Sequence, residues 1–200
     1  MSESRDYTDE EIIELVNNNQ IVINDDYESE TNELNLYVFG LIDSSTSESI
    51  IRSLVENESQ FDENTNINIY ICSEGGELYE CFAIIDFFND QQSRCNYTIN
   101  THGLGCVSSG GFFLFILGDN RKLYPKTRVF VHEHLAEGDD VLPYTKKLDG
   151  LKEEKILNKI YIQYVADKLE VSFRTAKALL QKDKWLNDKE LQQYNIYTTR

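Results

Sequence analysis

The stretch Gly103–Gly118 constrains this chain more than any other. It reads Gly-Leu-Gly-Cys-Val-Ser-Ser-Gly-Gly-Phe-Phe-Leu-Phe-Ile-Leu-Gly. Small residues (Gly105, Ser108, Ser109, Gly110, Gly111) run straight into the apolar segment Phe112–Leu117. Small residues let a backbone turn tightly and let a second segment come close. The apolar segment is long enough for about two turns of a buried helix. A serine at such a helix start lies beside unpaired backbone N–H groups and the positive end of the helix dipole. That is a place to hold a developing oxyanion. By itself, the stretch is equally a glycine-rich packing turn.

The surrounding pattern alternates strand and helix. Leu34–Leu41 alternates apolar and polar residues before Gly40 and reads as a strand. Ser44–Asn57 carries Ile50, Ile51, Leu54 and Val55 at helical spacing. Asn66–Ile71 alternates again, with Ile67, Ile69 and Ile71 on one face, and ends in Cys72-Ser73-Glu74-Gly75-Gly76-Glu77. Leu78–Asn89 is expected to be a mostly buried helix, Asn96–Thr101 a short strand leading into the glycine turn, Lys122–Tyr124 a brief strand, and Arg128–His132 a buried one. Residues 138–169 form a long charged helical excursion with an apolar stripe at Leu148, Leu151, Ile156, Leu157, Ile160 and Val165, weakened by Gly150. Ser172 caps a helix over Phe173–Lys182, and Asn187 and Glu190 have capping-box spacing for a last short helix. At the other end, Thr8 and Glu11 have the same spacing, Ile21–Ile23 reads as a short strand or anchor, and Asn24–Glu33 as a loop. The sum is an α/β domain with a helical arm.

Charge and composition narrow the partners. Residues 1–66 carry 17 acidic side chains against 2 basic ones, and residues 67–200 carry 18 against 17. Nucleic acid is therefore not expected as a partner, because phosphate binding needs a basic footprint. The acidic third reads as a solvated face, or as a charged docking surface. No apolar run approaches the roughly 18–20 residues of a membrane span, and the acidic start is unlike a secretory signal. A cytoplasmic, membrane-free protein is expected. The cysteines (Cys72, Cys81, Cys95, Cys106) have no CxxC or finger spacing, so free thiols are expected.

Three residues together carry chemistry. Ser109 lies at the helix start. His132 closes an apolar strand, where α/β sheets present functional side chains. Asp183 follows a helix, beside Trp185 and Leu186. A nucleophilic serine needs a base, and the base needs an acceptor that fixes its tautomer. Each also has an ordinary explanation as a structural serine, a strand-end histidine or a surface charge between two lysines. Spacing alone does not assemble them.

The residues resemble a known family in register. Ile69-Tyr-Ile-Cys-Ser-Glu-Gly-Gly76 is similar to the strand ending in Ser-Pro-Gly-Gly of the proteolytic subunit of the Clp protease (ClpP). Gly105-Cys-Val-Ser-Ser-Gly-Gly-Phe-Phe-Leu114 resembles that family's nucleophile turn, Arg128-Val-Phe-Val-His132 its strand ending in a catalytic histidine, and Lys182-Asp-Lys-Trp-Leu186 its basic-Asp-x-aromatic-hydrophobic motif. The order Ser, His, Asp is the family's own, and Leu36–Gln60 resembles its first strand and helix.

The resemblance implies the ClpP/crotonase fold, with repeated ββα units, in a single domain over residues 1–200. An acidic segment (1–33) precedes a head (34–137 and 170–200), from which a helical handle (138–169) protrudes. It implies a serine endopeptidase with Ser109 as nucleophile, His132 as base and Asp183 orienting it, and with Gly75, Gly76 and Gly110 lining the oxyanion hole. Ser109 is chosen over Ser108 because Ser109-x-Gly-x-Phe keeps the family spacing. It implies a homo-oligomeric ring, heptameric or double heptameric, fed unfolded polypeptides by a separate AAA+ unfoldase of the Clp type. No cofactor and no metal are expected, and ATP would be used only by the unfoldase.

Departures from the family pattern are specific. Glu74 replaces a proline, His132-Glu133-His134 stands for His-Gln-Pro, and Glu137-Gly-Asp-Asp140 stands where a Gly/Gln-rich strand helps rings join. His132 and His134 share a strand face, but a metal pair lacks a third ligand. Ser109 is not in a GxSxG elbow, the α/β-hydrolase order Ser–Asp–His is reversed, Gly103–Ser108 is not a full GxGxxG, and no Walker A motif exists. The rival readings are a non-catalytic or regulatory ring subunit, a crotonase-type acyl-CoA enzyme, and a capsid maturation protease.

Overall fold

In the computed structural model, which describes residues 32–133, 135 and 144–199, the alternation of Leu34, Leu36 and Val38 becomes strand β1 (Glu33–Ile42). Expectations for Thr8–Val16, Ile21–Ile23, most of Asn24–Glu33, His134 and 136–143 lie outside the described residues. The described residues fall into two units, one of 32–128 with 197–199 and one of Val129–Ile196.

The first unit is a parallel sheet laid down one strand and one helix at a time. After β1 come α1 (Ser44–Asn57), β2 (Asn66–Gly76), α2 (Leu78–Cys95), β3 (Thr98–Ser108), α3 (Gly110–Leu117) and β4 (Asn120–Leu123). Neighbouring strands pair in chain order, all parallel. Parallel pairing requires a crossover, and each helix supplies one.

Helix starts and stops follow local chemistry. Asp43 caps α1 by accepting from the N–H groups of Ser45 and Thr46, and the Ser45 hydroxyl, followed by the Thr46 N–H, holds its carboxyl below the ordinary value. The buried face of α1 is Thr46, Ser47, Ile50, Ser53 and Leu54, so Val55, expected inside, is 53% exposed. Helix α2 runs a turn and a half beyond the expected Asn89. Gln91 is buried and donates to the Leu54 carbonyl (3.1 Å), which replaces the apolar signal, and left-handed Asn96 then ends the helix.

One face of the sheet is apolar: Leu34, Leu36, Val38, Ile67, Ile69, Ile71, Ile99 and Val107 are all buried. Helix α3 is buried on all sides, as a helix apolar all round must be. Burying its six large side chains, Phe112–Leu117, contributes on the order of 10 kcal/mol before chain entropy. The other face carries rows of like side chains in register. Asn35, Asn68, Asn100 and Asn120 stand side by side, and each of the last three donates from Nδ2 to Oδ1 of the one before it, at 3.0, 3.1 and 2.9 Å. The next row is Tyr37, Tyr70, His102 and Lys122, with Tyr70 stacked on both Tyr37 (5.3 Å) and His102 (4.6 Å). Residues 198–199 close the unit by hydrogen bonding to Arg121 and Leu123 on β4.

The second unit joins β5 (Arg128–Val131) antiparallel to a two-residue strand, β6 (Lys184–Trp185), that alternation could not reveal. Its helices are α4 (Tyr144–Lys168), α5 (Phe173–Leu180) and α6 (Asp188–Gln193). Ser172 caps α5 and Asn187 with Glu190 forms the capping box of α6, as the spacing predicts. The buried stripe of α4 is Leu157, Tyr161, Ile162, Val165, Ala166 and then Leu169. Leu148, Leu151, Ile156 and Ile160, expected on that stripe, are 40–56% exposed, because Leu157, Tyr161, Val165 and Leu169 carry the i, i+4 seam. Among the described residues, no helix is long and apolar enough to cross a membrane.

Candidate active site

Strand β3 does not stop at the glycines, as a turn over Gly103–Ser109 would require. It continues to Ser108, and the chain reverses at the single residue Ser109 before α3 begins. Ser109 has φ 51° and ψ −120°, a left-handed value that side-chain-bearing residues avoid. Holding it there costs roughly 1–3 kcal/mol, which burial of α3 outweighs several-fold. Asp43, Ser172 and Asn187 all cap their helices with side chains, but Ser109 makes no cap hydrogen bond with its own. Its hydroxyl is therefore not occupied in the duty that serines at helix starts usually perform. Ser108, its neighbour, is buried at 8% exposure, whereas Ser109 is half-buried.

Three glycines converge on this turn. Gly75 has φ +110°, and a Cβ there would lie 2.5 Å from Ser109 Cβ, 2.9 Å from Ser109 Oγ and 2.9 Å from the Gly110 nitrogen. A Cβ on Gly110 would lie 2.6 Å from Cys81 Sγ and 3.3 Å from the Gly76 nitrogen. A side chain at Gly75 therefore collides with the turn, and one at Gly110 with Cys81 of α2. The first N–H groups of α3 have no partner within the helix, so Gly110 N–H stands next to Ser109 as a donor. Gly75 N–H donates to Ser73 Oγ (3.0 Å), and that hydroxyl donates to the Gly40 carbonyl (2.6 Å).

Ser73 is thus a buried polar tie between β1 and the Gly75-Gly76 turn, a role its place in the Ser-x-Gly-Gly motif did not disclose. Behind Gly110, burial and then Glu80 push the Cys81 thiol up to about 12, so it packs as an apolar group.

The second unit holds the other two residues. His132 is half-buried, just past the end of β5, and its Nδ1 lies 2.5 Å from the Glu133 carbonyl. A carbonyl only accepts, so Nδ1 carries the hydrogen and Nε2 is the basic nitrogen. Tyr161 of α4 donates to the His132 carbonyl (3.1 Å), and Phe130 tilts against the imidazole at 5.9 Å.

Asp183 is exposed and has φ 46°. The β5–β6 ladder pairs Phe130 with Trp185 and Val131 with Lys184. One further step of the same register sets His132 opposite Asp183. Lys182 Nζ and Lys184 Nζ, on either side of Asp183, both reach Glu190 Oε1, at 2.6 and 3.1 Å. Sequence reading took Glu190 for a cap alone. The two lysines around Asp183 were the available signal for more.

The structure thus brings Ser109, Gly75, Gly76 and Gly110 together in one unit, and puts His132 and Asp183 on adjoining strand ends in the other. Among the described residues no group of three or more His, Cys, Asp or Glu side chains could hold a metal ion. In comparison with known families, the Clp protease family model matches residues 17–197.

Proposed function

Because this chain belongs to the Clp protease family and has its α/β fold, we propose that it is a serine endopeptidase, the chamber-forming subunit of a Clp-type ATP-dependent protease. Ser109 Oγ attacks the scissile carbonyl, and His132 Nε2 takes its proton and returns it to the leaving amine. Asp183 stabilises the imidazolium once Nδ1–H leaves the Glu133 carbonyl. Gly110 N–H and the Gly75-Gly76 turn receive the oxyanion, for which one donor is typically worth about 10²–10³ in rate. The chain works as a homo-oligomeric ring in the cytoplasm, on unfolded polypeptides delivered by an AAA+ unfoldase. It uses no cofactor of its own. The exposed Leu148, Leu151, Ile156 and Ile160 of α4 support an oligomer, since large apolar side chains clustered in water mark contact surfaces.

The observation that carries the reading is Ser109 itself, strained, uncapped and pressed against Gly75 and Gly110. The test is labelling by a serine-directed phosphonate together with hydrolysis of a short fluorogenic peptide. Ser109→Ala should lose both, and Ser108→Ala should keep both. Loss confined to the Ser108 variant would overturn the assignment.

Two observations favour a second reading, a non-catalytic ring subunit: His132 Nδ1 is bonded to a carbonyl, and Asp183 lies in solvent between two lysines. An assembled ring of the unaltered chain that neither labels nor cleaves would establish it.

A further inference from the structure

Strands β2 and β3 lose register just before the site. Ile71 pairs with Gly103 and Ser73 with Val107, so β3 spends four steps where β2 spends two. Leu104, Gly105 and Cys106 therefore all stand opposite Cys72. The bulge carries Cys106 to the open face of the sheet, where Cys72 and Cys106 are both half-buried. Gly105, in the bulge at φ +55°, brings its backbone against the Cys72 thiol, with an added Cβ 3.3 Å from Sγ.

Adjacent strands lie about 4.8 Å apart, and disulfides span Cα separations of roughly 4.4–6.8 Å. The two other cysteines have different surroundings. Cys81 is buried under Gly110, and Cys95 ends α2.

We propose that Cys72 and Cys106 are a reversible dithiol–disulfide pair, oxidised by a low-molecular-weight disulfide. The Cys72 thiolate attacks one sulfur of that disulfide and releases one small thiol. The Cys106 thiolate then attacks the Cys72 sulfur of the mixed disulfide and releases the second. The protein gives up two electrons and two protons, and the small disulfide becomes two thiols. Burial raises the Cys106 thiol above its ordinary value, with Cys72 and then Glu74 adding to it. This suits Cys106 to the second, resolving step.

Each cysteine stands three residues ahead of a site residue, Cys72 before Gly75 on β2 and Cys106 before Ser109, the residue that follows β3. A bridge would tie the two strand ends that carry the turn. The bridge itself stands independently of the peptidase reading.

The test is to incubate the whole chain with oxidised glutathione or with dithiothreitol, alkylate it, and map its peptides by mass spectrometry. Oxidation should consume two of the four thiols, yield a Cys72–Cys106 linked peptide lighter by two hydrogens, and reverse with dithiothreitol. Cys72→Ser and Cys106→Ser should each give no linked peptide. Absence of the linked peptide at every glutathione ratio overturns the proposal, as does a bridge to Cys95 or to a second chain. Phosphonate labelling run alongside keeps the two ideas apart. A chain that forms the bridge but takes no label in either state retains the dithiol pair and removes the peptidase.

Discussion

At Ser109 stability and chemistry pull in opposite directions. Its φ of 51° suits glycine and strains a serine. Ser109→Gly should therefore raise stability by about 1 kcal/mol in urea or thermal unfolding while removing any phosphonate labelling. A variant less stable than the unaltered chain would mean that the serine side chain is there for packing. Ser109, Gly75, Gly76 and Gly110 were named through the family resemblance, which the small residues of the two turns carry. What pattern could not supply was the backbone angle and the missing cap, since both are properties of a turn held by elements far apart in the chain. Ser73 went unread for a related reason. Its partners are Gly40, thirty-three positions away, and Gly75.

Among the elements, the segment around Asp183 sets an ionic cluster of Lys182, Lys184 and Glu190 beside the buried Leu180, Leu186 and Leu191. Glu190 is largely buried, and Lys182, then the Asn187 backbone, with a smaller part from Lys184, bring its carboxyl down from 4.5 to about 2. A carboxyl lowered by folding stabilises the fold above its ordinary value, and that contribution is lost as the pH falls towards about 2. Stability should then decline between pH 4.5 and about 2, and Glu190→Gln should be less stable near neutrality but flatter across that window. Chemical denaturation at stepped pH measures both slopes. An equal acid slope in the two proteins would place the acid-sensitive group elsewhere.

Element existence was legible wherever apolar periodicity was strong, as in β1, β2, α1 and α3. Ends were less so. The extension of α2 rests on a buried glutamine, β6 is two residues long, and the seam of α4 depends on which apolar residues find a partner. None of these is written in local pattern.

For the whole molecule, membership of the Clp protease family points to a ring oligomer. Native mass spectrometry of the phosphonate-treated chain should give a closed ring whose mass is a whole multiple of 23.2 kDa plus one label per subunit. A monomer would remove the ring, and an unlabelled ring would favour the non-catalytic subunit. Assembly was legible only through resemblance, since four exposed apolar residues on α4 do not name what meets them.

The row of asparagines has a consequence of another kind. Apolar strands slide past one another with little to tell one alignment from the next except which face ends up wet. A line of amides, each donating to the one before it from Asn120 to Asn35, is complete in this alignment, and Asn100 donates to Asn66 as well (3.2 Å). It works as a vernier scale across four strands, checking their alignment on the face that the oily core cannot measure.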